Sequence, residues 1–126
     1  MRKGIALALV TALALLAPAG AAVAGDRDVI REGSCGRSSD WKLKLSREDG
    51  GIEVEFEVDQ NVTGDRWRVR IRHDGDVAFR GVRTTRGASG SFEVRIVENN
   101  RAGTDRFKGK ALNLSTGEVC AGAASL

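Results

Sequence analysis

Apolar and charged residues alternate along most of the chain beyond residue 40. This two-residue period is typical of β-strands that bury one face, whereas no stretch beyond residue 24 shows the 3.6-residue period of an amphipathic helix. Turn-forming pieces rich in Gly, Asp and Asn separate the alternating segments. The pattern predicts seven short strands, at residues 41–45, 52–58, 66–72, 77–80, 92–96, 107–114 and 119–120.

Seven short strands at this spacing, each apolar on one face, indicate an all-β chain that folds as one domain. We expect a single antiparallel β-sandwich of immunoglobulin-like kind, with a small β-barrel as the alternative. The sandwich domain would span residues 35–126 and follow a flexible N-terminal segment at residues 25–34.

The second predicted strand carries a row of glutamates and the third a row of arginines. If these two strands pair antiparallel and apolar residues meet, Phe56 lies opposite Trp67 and Glu55 lies beside Arg68. In that register the arginines are flanked by glutamates, and each exposed pair contributes only about 0–1 kcal/mol. The pairs would then serve to fix the register and keep the outer face soluble.

The next hairpin is predicted to turn through a three-residue loop, His73–Gly75, with Gly75 in a bulge. This loop sets Ile71 opposite Val77 and places the Trp67 indole over Gly81.

An alternative function for the arginine row is an anion-binding strip, in which Arg68 beside Arg80 is the least neutralised part. Arginine binds sulfate, phosphate or carboxylate in bidentate fashion. Single-stranded nucleic acid normally also requires aromatic side chains for stacking, and the pattern places none on this face. The sequence therefore predicts no nucleic-acid partner.

Residues 1–24 have the features of a secretory signal peptide: Arg2 and Lys3, an apolar run, and small residues ending in Ala22–Ala24. The apolar run is too short to span the roughly 30 Å of a bilayer core. We expect cleavage near Ala24 and a secreted, extracellular protein with no membrane span in the mature chain.

Charge gives little information about partners. The chain has 20 basic and 17 acidic residues, and removal of Arg2 and Lys3 with the signal would leave 18 against 17, a net charge of +1. A value this close to zero gives no general reason to expect nucleic acid or an anionic membrane as partner.

Cys35 and Cys120 are the only cysteines and lie near the two ends of the predicted mature chain. In an exported protein such a pair predicts a disulfide. Closing a loop of this length is worth about 4–5 kcal/mol in the chain-entropy model. Two distant cysteines and one histidine make a poor case for a redox or metal site.

Candidate catalytic chemistry is sparse. His73 is the only histidine and falls in a predicted turn, and the chain contains no phosphate-binding glycine loop and no serine nucleophile elbow. Trp41 and Trp67 both lie on the apolar side of their strands, so they are expected in the core and not on a sugar-binding platform. We expect no enzyme activity, no cofactor and no metal.

Two polar loops, Thr84–Gly90 and Asn99–Asp105, are the longest, and sandwich folds usually bind through loops. From the second loop, Asn99, Arg101 and Asp105 are candidate binding residues alongside Arg68 and Arg80 of the arginine strip.

The segments "GSCGRSSDWKLKL", "GGIEVEFEVDQNVTGDRWRVRIRHDG", "SGSFEVR", "NRAGTDRF" and "TGEVC" cover much of the predicted mature chain. Through them it resembles a group of small secreted actinobacterial proteins of unassigned function. The resemblance implies export, a β-rich fold and a Cys35–Cys120 bridge, but no reaction. The predicted function is a secreted, non-catalytic binding module for an extracellular protein, an envelope component or a small ligand. A structural cell-envelope protein and a small hydrolase are the alternatives.

Overall fold

The structure, a computed structural model, describes residues 28–126, which form eight β-strands and no helix. The predicted signal peptide lies outside these residues. The strands are β1 Val29–Ser34, β2 Asp40–Glu48, β3 Gly51–Asp59, β4 Arg66–His73, β5 Asp76–Thr84, β6 Ser91–Asn99, β7 Arg106–Asn113 and β8 Val119–Ser125.

The strands form two four-stranded antiparallel sheets, in the orders β1-β2-β3-β6 and β5-β4-β7-β8. The sheets pack as a sandwich and do not close into a barrel, which confirms the predicted class. The strand that the sequence pattern missed is β1, which pairs with β2 from Val29↔Leu45 to Ser34↔Asp40. It occupies most of the segment expected to be flexible, so the ordered domain begins before residue 35.

The predicted pairing of the glutamate strand with the arginine strand is wrong. β3 pairs with β2 and β6, whereas β4 pairs with β5 and β7 in the opposite sheet. Residues 60–65 connect β3 to β4, and six residues are needed because the chain must cross between sheets that pack about 10 Å apart. Phe56 and Trp67 therefore belong to different sheets: the Phe56 ring packs over Gly109 of β7, and the Trp67 ring lies 6.0 Å from that of Phe92 in β6.

The β4–β5 hairpin also differs from the prediction. Its loop is the two residues Asp74 and Gly75, both with positive φ (48° and 89°), as a type I′ turn requires. His73 pairs with Asp76, and a bulge shifts the register so that Ile71 lies opposite Phe79. The bulge sets apolar residues of β4 and β5 opposite each other again. The sequence pattern had assigned this role to a three-residue loop.

The core lies between the sheets and uses most of the predicted apolar positions, but Val77, Leu114 and Val119 are exposed. Its largest buried side chains include Trp67, Phe56 and Phe107. Trp67 donates from Nε1 to the side-chain oxygen of Gln60 at 3.0 Å, so its polar atom is satisfied. Trp41 is partly buried and packs over Gly122, where any Cβ would collide with the indole.

The predicted disulfide is present: Cys35 and Cys120 are bonded, with a Cα–Cα distance of 4.4 Å. It joins the loop after β1 in one sheet to β8 in the other. A covalent link across both layers stabilises the sandwich because it restricts the unfolded chain. Within residues 28–126, no helix is long and apolar enough to cross a membrane.

Candidate functional site

The outer face of the sheet β5-β4-β7-β8 carries a dense group of cations. Period-two alternation turns every second residue of these strands to solvent, and the register sets the cations side by side. Arg70 lies between Arg80 of β5 and Lys110 of β7, and Arg72 lies opposite Lys108. We call six residues the basic face: Arg68, Arg70, Arg72, Arg80, Lys108 and Lys110.

The basic face has no counter-charges. In the described strands of this sheet, the outward-facing positions include no aspartate or glutamate. None of the six cations forms an ion pair with a carboxylate of residues 28–126. Arg66 and Arg106 lie at the ends of β4 and β7 on the same outer side of the sheet, so they extend the positive surface.

A shallow depression of about 170 Å³ lies on the basic face. Arg68, Arg70, Arg80 and Lys110 surround it, and Leu112 contributes to its almost wholly apolar lining. The arginine and lysine stems therefore act as walls, with the charged groups free to reach the rim. Such a surface can hold an anionic group by charge-assisted hydrogen bonds above an apolar floor.

The other sheet has a different outer face, in which cations and anions alternate. Lys44 lies 3.7 Å from Glu55 and 3.5 Å from Asp28, and Arg95 donates to Glu53 at 2.7 Å. The Glu55 and Asp28 charges raise the pKa of Lys44, and the hydrogen bond from Arg95 lowers the pKa of Glu53. The glutamates are thus neutralised by β2 and β6 and not by the arginines of β4.

Glu93 is the exception on this second face. It lies directly opposite Glu57, and partial burial together with the Glu55 and Glu57 charges raises its pKa. A raised carboxyl pKa suits a general acid. However, Glu93 and Glu57 lie on the open outer face of a sheet, where nothing excludes water from a reacting group.

The sequence predicted that His73 lies in a surface turn. In the structure His73 is instead buried, with 1 % of its side chain exposed. It stacks on Phe107 with ring centroids 4.3 Å apart. Its Nε2 lies 2.6 Å from Oδ1 of buried Asp105, and its Nδ1 lies 3.3 Å from Glu98. Since both ring nitrogens face carboxylate oxygens, both contacts are hydrogen bonds only when the ring carries two protons.

The surroundings of His73 join two connections at one end of the sandwich. The Arg101 side chain donates to the His73 carbonyl and to Asp76, and the Arg101 amide donates to Asp105. Asp105 also exchanges backbone hydrogen bonds with Leu126. The cluster therefore fixes the β6–β7 connection and the C-terminal residue to the β4–β5 hairpin.

His73, Asp74 and Asp105 place potential metal-ligand atoms within 4.8 Å of one another. These three residue types are therefore a candidate set of cation ligands. Nitrogen and carboxylate ligands suit zinc and similar ions. In this arrangement, however, Nε2 contacts Asp105 directly, and the Arg101 guanidinium lies 3.9 Å from Asp74. A metal would have to displace the Nε2–Asp105 contact and lie beside the Arg101 guanidinium, so the geometry supports a structural hydrogen-bonded cluster.

The predicted binding residues separate into different places. Arg68 and Arg80 lie on the basic face and line the same depression, although Arg68 opposes Val82 and not Arg80 as expected. Arg101 and Asp105 belong to the cluster around His73. Asn99 ends β6 opposite Gly51 and joins neither group.

Sequence reasoning missed Lys108 and Lys110 of the basic face, whereas Arg70 and Arg72 already belonged to the arginine row that was considered as an anion-binding strip. The alternation of the two lysines with apolar residues indicated that they face solvent. Their place beside the arginines follows only from the pairing of β7 with β4. An immunoglobulin-like strand order puts the third and sixth predicted strands together, so this neighbour could have been inferred.

The loop Thr84–Gly90 is occupied by internal contacts. Thr85 is fully buried and exchanges backbone hydrogen bonds with Asp65 and Gly64. The Thr63 hydroxyl donates to the Gly87 carbonyl. The loop is thus fastened to the β3–β4 connection through its buried Thr85 and through Gly87, whereas residues 86–89 are exposed.

Comparisons with protein-family models, with curated proteins and with solved structures find no match to this chain. The resemblance to small secreted actinobacterial proteins therefore stays a prediction. Any functional argument depends on the chain's own geometry, above all on the basic face.

Proposed function

We propose that this protein is a secreted, non-catalytic binding module that takes an anionic ligand on its basic face. The observation that carries the proposal is the contrast between the two outer faces. One sheet alternates positive and negative side chains, as a merely soluble surface does. The other collects six cations without a carboxylate among them.

Uncompensated charge of this kind costs stability. Like charges directly opposite each other on neighbouring strands destabilise a sheet by roughly 0.2–1 kcal/mol per pair. Arg70 is opposed by a cation on both sides. An anionic ligand removes this repulsion, so the fold and the ligand are complementary.

The proposal includes export and an immunoglobulin-like topology. A disulfide that joins the two layers is typical of oxidising compartments, which supports an extracellular location. Without β1, the strand orders are β2-β3-β6 and β5-β4-β7-β8. The chain passes repeatedly from one sheet to the other in these orders, as it does in Greek-key sandwiches. Binding through a rigid sheet face needs no moving part.

The test is binding of heparin, a sulfated polysaccharide, to the disulfide-bonded protein, measured by titration calorimetry at two salt concentrations. Arg80→Glu should weaken binding about tenfold, because it removes one attraction and adds one repulsion of about 0.5–1 kcal/mol each. Lys42→Glu is the matched control. It makes the same charge change on the opposite outer face and should leave the affinity within about twofold.

Equal losses in the two variants would show that only net charge matters and would refute a dedicated face. A second copy of the chain is the competing occupant, since its glutamate-bearing face is also anionic. Sedimentation at low salt separates the two cases: the proposal expects a monomer, whereas dimers or polymers abolished by Arg80→Glu would mean self-association.

One observation, the raised pKa of Glu93, favours a small hydrolase as the second candidate. That function requires turnover that Glu93→Gln abolishes. The binding module predicts that Glu93→Gln binds heparin at least as tightly as the unmodified protein.

A further inference from the structure

Building on the proposed anionic ligand, we infer that it is a flexible linear polyanion without aromatic groups, which lies along β4 and contacts most of the basic face together. Its charges would be phosphate, sulfate or carboxylate groups repeated along a chain. A single small anion would leave most of the face unsatisfied.

The basic face is longer than a single small anion. Residues two apart on a strand are about 6.7 Å apart, and neighbouring strands are about 4.8 Å apart. From Arg66 to Arg72 the row in β4 alone is therefore about 20 Å long. Arg80 and Lys110 stand on either side of its middle. One phosphate or sulfate group can reach two or three of these side chains but not the whole row.

The side chains of the basic face favour a ligand without aromatic groups. The outward-facing positions in the described strands of this sheet carry no aromatic residue, so unpaired bases have no platform on which to stack. What the face offers is guanidinium and ammonium groups above aliphatic carbon, including Val82 and Leu112. This surface fits an anionic chain whose backbone is saturated, such as a sugar or polyol polymer.

The curvature of the basic face favours a flexible ligand. A four-stranded sheet twists, so the cations follow a curved surface and not a straight line. A rigid rod would contact part of it, whereas a chain with free torsions can follow all of it.

The test compares the affinities of the protein for tripolyphosphate, long-chain polyphosphate and size-matched heparin oligosaccharides at 50 and 200 mM salt. Each affinity is divided by the number of protein-sized segments on the ligand, so that long and short ligands can be compared. If about six charges are neutralised, the affinity for long chains should fall about 300-fold over this range, against about sevenfold for a ligand held by two charges. Arg66→Gln, at the end of the β4 row and outside the depression, should weaken the long chains and leave tripolyphosphate unchanged. The polyphosphate and heparin arms show whether phosphate or sulfate is preferred.

Each outcome is decisive. Tripolyphosphate that binds as tightly as long chains, with the shallow salt dependence, overturns the linear polymer but leaves an anion-binding face intact. No binding of any probe overturns the proposed function as well. Oligo-dT of matched charge that binds more than tenfold tighter than polyphosphate would mean that bases are recognised and that the ligand is a nucleic acid.

Discussion

At the residue scale, Glu118 shows how one buried carboxylate organises a loop. It is 5 % exposed and accepts three hydrogen bonds: from the Arg37 amide, the Ser39 amide and the Ser39 hydroxyl. Burial by itself would raise the pKa of Glu118, but these bonds outweigh it, so the pKa lies below its usual value of 4.5. The carboxylate therefore holds the segment beside Cys35.

Replacing Glu118 with Gln should lower the free energy of unfolding by about 1–3 kcal/mol at pH 7. The side-chain NH2 of Gln is a donor and would replace one of the two carboxylate oxygens that accept hydrogen bonds from Arg37 and Ser39. Since the folded-state pKa is lowered, the carboxylate stabilises the fold above pH 4.5, and this contribution is lost as the pH falls through the folded-state value. Urea unfolding between pH 3 and 7 should show the two proteins converging in acid. Glu48→Gln, at an exposed site, is the control, and a pH-independent gap would contradict the assignment.

Asp105 is the second buried carboxylate with a defined partner. Asp105→Asn should destabilise the fold by about 1–3 kcal/mol, because it alters a buried carboxylate that contacts His73 Nε2 and accepts a hydrogen bond from the Arg101 amide. The matched control is Asp76→Asn, whose contact with Arg101 is solvent-exposed and worth about 0–1 kcal/mol. Chemical denaturation measures both. Equal effects would mean that the cluster is not a structural unit.

Neither site could be read from the sequence. Glu118 and Ser39 are 79 residues apart, and His73 and Asp105 are 32 apart. Alternation tells which side of a strand a residue occupies, but it gives no information about which distant loop closes over a strand end. Polar residues in such loops gain their partners only from the tertiary fold.

At the scale of elements, the strands themselves were the predictable part. Trp67, Val69 and Ile71 are fully buried, as their alternation with arginine requires. Pairing was not predictable from alternation alone, because any two amphipathic strands can be aligned with apolar residues facing each other. Loop length carried part of the missing information. The two-residue loops at 49–50 and 74–75 join neighbours, and the six-residue loops at 60–65, 85–90 and 100–105 cross between sheets. The five-residue connections at 35–39 and 114–118 also join neighbours, so only the shortest loops identify a hairpin from their length.

The β4–β5 turn can be tested by a substitution at Gly75. Its φ of 89° is strained for any residue with a Cβ, so Gly75→Ala should lower stability by about 1–2 kcal/mol. Gly36→Ala is the control, because a Cβ there meets its nearest atom at 3.7 Å. Thermal unfolding compares the two. A Gly75→Ala variant as stable as the control would be incompatible with the two-residue turn.

At the scale of the whole molecule, a small net charge conceals an uneven distribution of charge between the two outer faces. The sequence has 20 basic and 17 acidic residues, or 18 and 17 after the expected removal of the signal, and this balance by itself gave no general reason to expect an anionic partner. Folding sends the arginines of β4 and the glutamates of β3 to opposite outer faces, because the two strands belong to different sheets. The potential that a ligand meets is that of one face, since salt screens charges beyond about 8 Å.

The central claim is that this face is electrostatically unfavourable by itself and is relieved by a polyanion. The most direct test is the free energy of unfolding of Arg70→Glu, measured by urea at low salt with and without long-chain polyphosphate. Without polymer, the variant should be about 1 kcal/mol more stable than the unmodified protein, because the introduced carboxylate would lie between Arg80 and Lys110. With polymer, it should gain much less stability than the unmodified protein. The mirror substitution Glu55→Lys, between Lys44 and Arg95, should instead destabilise the fold. An Arg70→Glu variant that is less stable than the unmodified protein, or that gains as much from polyphosphate, would contradict the account.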